Sequence, residues 1–265
     1  MEEKNESSLV KEKIKNYAEE MGVDDIGFAS VQNYKSPNSI PIKELFPEAK
    51  TIVVLAFQQI DNCESENHQF ASVGIKIVTE FSHSCTYKLA RFIKKQFNAH
   101  VMAVPGAGPV NVDKNTGLPS GYVSLRHAAL AAGLGNFGRN NLIIHPEMGS
   151  KVVFTALVTD LDIEPDIPIK EKICIDCDIC INQCPVNALA EENKTNVGLC
   201  AFNSQPYGVH GNIGFWTKFT ESSPEEQKEM LQDENFKRLY QALALGSQYV
   251  CFNCTKDCPV GQKIF

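Results

Sequence analysis

The chain has 265 residues, 43% of them hydrophobic, which is enough for one large domain or a medium domain plus a small one. A formal net charge of -7 argues against an affinity built on neutralising many phosphates, so nucleic acid is not the expected partner. The opening MEEKNESSLVKEK carries no apolar stretch or twin arginine, and no run of about eighteen apolar residues occurs; neither secretion nor membrane spanning is expected, and the address is cytoplasmic.

Val10, Ile14, Tyr17, Ala18 and Met21 recur at helical spacing and Gly22 follows as a cap, so an amphipathic helix opens the chain. TIVVLAF, residues 51–57, is a short continuous apolar run behind Pro47 and reads as a strand covered on both faces, pointing to an α/β sheet. A helix follows from about Thr86 to Phe97, with Leu89, Phe92, Ile93 and Phe97 inward, then a strand over Val101 to Val104. Tyr122 to Ala132 reads as a helix capped by Gly133, and Leu142 to Ile144 and Val152 to Val158 read as strands. Pro165 and Pro168 punctuate an acidic linker, which divides the chain into an α/β domain over 1–168 and a cysteine-rich domain over 169–265. A polar helix from Pro224 to about Leu245 separates two cysteine groups.

Cys174, Cys177, Cys180 and Cys184, the last followed by Pro185, form C-x2-C-x2-C-x3-C-P, the run of bacterial ferredoxins. Two-residue gaps let one loop present three thiolates to one cubane, while the fourth cysteine, turned away by proline, faces a second cluster. Cys251, Cys254 and Cys258 with Pro259 form a shorter run, and Cys200 is the available donor that completes it. The crossing rule assigns one 4Fe-4S cluster to Cys174, Cys177, Cys180 and Cys258 and the other to Cys184, Cys200, Cys251 and Cys254. Zinc would explain paired C-x2-C motifs but not the third cysteine of the first run or the repeated C-P ending. Cys63 and Cys85 fit neither run and read as buried thiols.

Gly133, Gly135 and Gly138 spell G-x-G-x-x-G, but a helix precedes them and a strand follows, the reverse of a dinucleotide site. They read instead as a helix cap and a close backbone turn, with room for a flat ligand. The six histidines show no ligand spacing; His83 and His127 matter only if they lie near a pocket.

AGLGNFGRNNLIIHPEMGS, residues 132–150, with VVFTALVTDLDIEPD, MGVDDIGFAS, FPEAKTIVVLAF and the order of the eight cysteines, resembles the core of epoxyqueuosine reductases, relatives of the reductive dehalogenases. The resemblance implies a nitroreductase-like α/β domain holding base-off cobalamin, fed by the two clusters. Gly135, Arg139 and Asn140 match the family's G-x-x-G-K-N stretch, with arginine for lysine, and by that match line the corrin pocket. The family's catalytic aspartate lies in a D-[ST]-x-P segment, and Gly106 occupies the matching position here. An insertion, VNVDKNTGLPSG, follows and offers Asp113 or Tyr122 as the proton donor in its place, a tyrosine serving this role in reductive dehalogenases. The sequence ends soon after Cys258, without the C-terminal extension of longer relatives, which together with the acidic balance weakens the expectation of a transfer-RNA substrate.

The expected function is therefore a cytoplasmic iron-sulfur oxidoreductase of an anaerobe, with ferredoxin or flavodoxin as electron donor and a small molecule or a corrinoid protein as acceptor. The alternatives are an electron-transfer or corrinoid-activating protein with no substrate chemistry of its own, and a flavin-containing reductase.

Overall fold

The computed structural model describes residues 2–104, 106, 111–112, 119–192, 194–246 and 250–261. Helix α1 (Glu2–Glu20) leads into strand β1 (Asp25–Ser30) through Gly22, whose φ of +82° lies in the left-handed region that suits glycine at a helix end. After a short helix α2 (Ile42–Leu45) comes β2 (Thr51–Gln58), and then the long α3 (His68–Phe97), capped by the Asn67 side chain. Strands β3 (Val101–Ala103), β4 (Asn111–Val112) and β5 (Pro119–Ser120) precede α4 (Leu125–Ala131). The hairpin β6 (Asn136–Phe137) and β7 (Ile143–Ile144) leads to β8 (Val152–Thr159).

The central sheet has the order β1-β2-β8-β3, and every pairing in it is antiparallel. The continuous apolar run of β2 nevertheless reads correctly, because helices cover both faces. Ile52, Val54 and Ala56 pack with Ala128, Ala129 and Ala132 around α4, while Val53, Leu55 and Phe57 pack with Ile14 and Ala18 of α1 and Leu89 and Ile93 of α3. The twofold alternation of a strand thus divides one run between two cores.

Helix α3 is much longer than the apolar stretch after Thr86, because its first half binds through small residues. A Cβ at Gly74 would lie 2.4 Å from Cβ of Asn62, so this turn runs directly against the Asp61–Glu64 segment. Helix α4 starts at Leu125 rather than Tyr122: Ser124, whose N–H donates to the Tyr34 hydroxyl at 2.8 Å, takes the cap position.

The acidic linker is bound to the sheet. Asp166 accepts from the Phe28 N–H at 2.9 Å, its own N–H donates to the Phe28 carbonyl at 2.8 Å, and Lys11 pairs with its carboxylate at 2.7 Å. Beyond it lie short helices α5 (Ile179–Asn182), α6 (Val197–Ser204), α7 (Val209–Glu221), α8 (Pro224–Gln232), α9 (Glu234–Leu245) and α10 (Asn253–Lys256). The expected single helix from Pro224 is two, broken where Asp233 ends α8 and its carboxylate caps α9 at the Asn235 N–H. Among the described residues no helix is long and apolar enough to cross a membrane.

Candidate metal and redox site

The first cysteine run curls because Asp176 and Asp178, the residues between its cysteines, adopt left-handed conformations with φ of +52° and +57°. Aspartate tolerates this geometry better than most residues. Cys174, Cys177, Cys180 and Cys258 border one cavity, joined by Arg139, Asn140, Asp178 and Pro259. Cys184, Cys200, Cys251 and Cys254 border a second, of about 340 Å³, joined by Arg126, Asn140 and Asn141. None of the cysteines is in a disulfide. A tetrahedral zinc needs four donors meeting about 2.3 Å from one point. Among the described residues no three His, Cys, Asp or Glu side chains converge to hold a single ion.

The thiols influence one another within these groups. Burial, followed by the charges of Cys174, Cys177 and Cys258, raises the pKa of Cys180; burial, followed by Cys251 and Cys184, raises that of Cys200. Burial chiefly pushes Cys254 up to about 11, with further contributions from Cys251, Cys200 and, from the other group, Cys180. Ligation by thiolate must therefore displace a proton at each of these sulfurs. The Ala188 N–H donates to Cys184 Sγ at 3.2 Å, a contact of the kind that sets cluster potential.

One loop of the α/β half clamps both runs. Arg139 Nε donates to Asp178 at 3.0 Å, Asn140 Nδ2 to the Cys254 carbonyl at 3.1 Å, and Ser150 Oγ to the Thr255 carbonyl at 3.0 Å. Gly149, with φ of +59°, leaves room for the tail: a Cβ there would stand 1.9 Å from the Val260 carbonyl oxygen. Arg139 and Asn140, which the resemblance sets in a corrin pocket, thus lie on the cysteine-lined cavities. Gly135 lies immediately before β6, where a Cβ would meet the Ile144 carbonyl oxygen of β7 at 2.3 Å, so the close approach there is to protein backbone. Ser150 and Gly149 were legible only as part of the HPEMGS stretch; nothing in their spacing marks a clamp.

A cavity of about 800 Å³ opens at one end of the sheet, lined by Asp24, Asp25, Gln58, Gln59, His145 and Val260 among others. Val260 also borders the cavity of Cys174, Cys177, Cys180 and Cys258. Among the described residues, Gln59 Oε1 is buried without a hydrogen-bond partner. His145 is 4% exposed; its Nδ1 accepts from the Glu147 and Met148 N–H groups, which leaves Nε2 to donate to Asp25 at 3.0 Å. Burial raises the Asp25 carboxyl, but bonds from His145 and the Ile26 N–H outweigh it and the net pKa lies below the ordinary range.

Of the two sequence-stated proton donors, Tyr122 is half-buried just before α4, and Asp113 lies outside the described residues. Gly106 is exposed beyond β3, and a Cβ there would be 3.3 Å from His83 Nε2, so α3 brings an imidazole to the position that a side chain at 106 would enter. His127 sits at Ser124 Oγ, 2.8 Å from its Nδ1, against the Phe137 ring, with its pKa lowered by burial and by Arg126.

This arrangement of antiparallel α/β core and cysteine-rich segment has counterparts among known proteins. No family model matches the chain. Epoxyqueuosine reductase of Bacillus subtilis (strain 168) is 24% identical over 284 residues, covering 96% of this chain and 64% of the relative. That of Staphylococcus aureus is 33% identical over 99 residues, covering 37% of this chain and 26% of the relative. The chain thus spans at most about 64% of the length of these two relatives.

Among solved structures, an epoxyqueuosine reductase bound to a modified tRNA-Tyr stem loop matches with a TM-score of 0.57 at 22% identity, over 96% of this chain and 66% of that one. A reductive dehalogenase, described in terms of B12-dependent dehalogenation, matches with a TM-score of 0.54 at 17% identity, over 92% and 36%. The fold is the one shared by epoxyqueuosine reductases and reductive dehalogenases. In sequence, the chain is similar to epoxyqueuosine reductases over most of its length.

Proposed function

We propose that this chain is a cytoplasmic iron-sulfur oxidoreductase that passes single electrons through two 4Fe-4S clusters to a corrin in the adjoining cavity. The observation that carries this reading is the division of eight cysteines, interleaved in sequence, into two sets of four around two cavities. Cys258 joins the set of the first run and Cys184 joins the set of the second, as two-cluster ferredoxin wiring requires. Val260 links the first set to the large cavity, which supports delivery of electrons there.

The large cavity is the proposed corrin site, with a flavin as the alternative occupant. Its lining includes Asp24, Asp25, Asp61, Glu64 and Glu147 against Lys151, which is itself paired with Glu64. Such a surface accepts a macrocycle with a cationic centre and amide donors on its rim. Gln59 Oε1, buried and unpartnered, is an acceptor for one such amide. When bound, cobalamin supplies the cobalt-centred redox chemistry; the chain's residues hold its rim and keep the cluster segment against it.

The likeness to a reductase bound to a tRNA stem loop weakens the charge-based expectation against nucleic acid, so epoxyqueuosine in RNA stands beside a small molecule or a corrinoid protein as the acceptor to test. Tyr122 and Asp113 are proposed proton donors. The absence of a side chain at Gly106 favours the second reading, an electron-transfer or corrinoid-activating protein served by ferredoxin or flavodoxin.

The test is anaerobically purified protein examined by iron and cobalt analysis, visible absorption and electron paramagnetic resonance. The expected result is two clusters, stoichiometric cobalt after loading, and loss in Cys258→Ser of the cluster held by Cys174, Cys177 and Cys180. Tyr122→Phe and Asp113→Asn, assayed on epoxyqueuosine-containing RNA with a low-potential donor, separate the two readings. Loss of only the Cys184 cluster in Cys258→Ser would refute the ligand assignment.

A further inference from the structure

Each four-cysteine cavity is bordered by one arginine from the α/β half, and the two arginines differ in their partners. Among the described residues lining the first cavity Arg139 is the one cation, with Lys172 near Cys174 outside the lining; the Arg139 guanidinium pairs with Asp178 at 3.0 Å and approaches Glu192 at 3.8 Å. Arg126 is among the residues that line the second. Its guanidinium donates to the Asn141 carbonyl and lies 5.9 Å from the Phe137 ring centre. Among the described residues Arg126 meets no carboxylate, and loss of water around its guanidinium lowers its pKa although the residue as a whole is exposed. Neither arginine is needed to complete a set of ligands.

We infer that Arg126 and Arg139 are positioning residues that set the potentials of the two clusters separately, Arg126 raising that of the Cys184, Cys200, Cys251 and Cys254 cluster more than Arg139 raises that of its own. The physical reason is charge. One-electron reduction adds a negative charge to the cluster, and a fixed cation beside it stabilises the reduced form. A cation already paired with one carboxylate and close to another contributes less. The inference rests on the two-cluster reading, and it needs only a low-potential one-electron reductant, which is oxidised as each cluster takes its electron.

The experiment is a redox titration of the cluster-loaded protein followed by electron paramagnetic resonance, with Cys258→Ser protein used to assign the signals. Arg126→Gln should lower the reduced-to-oxidised ratio of its cluster about tenfold at a fixed poise, about 59 mV for a one-electron couple, and leave the other cluster unchanged. Arg139→Gln should lower only the other cluster, by a smaller factor, and Asp178→Asn should raise that same cluster by unpairing Arg139. Arg126→Lys should stay near the wild type because it keeps the charge. Unchanged potentials in Arg126→Gln, a common shift of both clusters, or an Asp178→Asn shift in the same direction as Arg139→Gln would overturn the inference. If Arg126→Gln fails to assemble its cluster, Arg126→Met decides: a potential lowered by more than Arg139→Gln lowers the other cluster upholds the inference, and an unchanged one overturns it. Wild-type protein without cluster signals would overturn the two-cluster reading itself.

Discussion

Asn140 is the most informative single position, because it joins the α/β half to both cysteine-lined cavities. Its side chain is part of a residue only 5% exposed; Nδ2 donates to the Cys254 carbonyl and Oδ1 accepts from the Leu142 N–H, both at 3.1 Å. Asn140→Ala removes both bonds at once. Leaving a part-buried carbonyl and N–H without partners costs in the lower part of the range of about 1 to 3 kcal/mol each, so the pair is worth about 3 kcal/mol. For a domain of this size that corresponds to a melting midpoint lower by roughly 6 to 12 °C.

Because Cys254 belongs to the second group of thiols, the loss should appear first in the clusters. Thermal melts followed in parallel by visible cluster absorption and by circular dichroism should show absorption falling at lower temperature in Asn140→Ala, with the helical signal following. A variant whose cluster absorption melts with the wild type would refute the reasoning, since the clamp would then add nothing to the cysteine segment.

Gly149→Ala should empty one cluster while leaving the α/β core folded: the new methyl would collide with the Val260 carbonyl, and the left-handed backbone adds about 1 to 2 kcal/mol of strain. Iron content near half the wild-type value with unchanged helical signal is expected; full iron content contradicts it. Reconstitution of apo-protein should proceed further as pH rises from about 7 to about 9, because Cys254 must lose a proton from a thiol pushed up to about 11 and higher pH favours the thiolate. A yield independent of pH would count against thiolate formation as the limiting step. His83→Gln should lower reductive turnover about a hundredfold with iron content unchanged if the imidazole beside Gly106 donates the proton. Turnover equal to that of the wild type would remove His83 from that role.

Local chemistry written into the sequence was sufficient for several features. The apolar spacing of Ile14, Ala18, Leu89 and Ile93, and the unbroken run of β2, announced helices packed on a two-faced strand, since burial depends on periodicity alone. The Cys174 to Cys184 run likewise set the curled loop that gathers its first three thiols at one cavity, because two-residue spacing is short-range geometry. Other features depended on contacts between distant segments. The antiparallel direction of β2 and β8 is invisible in their composition, and the first half of α3 was hidden by the small residues that let it lie against Asn62. Arg139, Asn140, Gly149 and Ser150 carry no spacing signal for a clamp; their role exists only because the tertiary fold brings residues 139–150 against Asp178, Cys254, Thr255 and Val260. In the same way His83 and Gly106, far apart in the chain, become neighbours only when α3 and the end of β3 pack together, since neither residue's local sequence encodes the other's position.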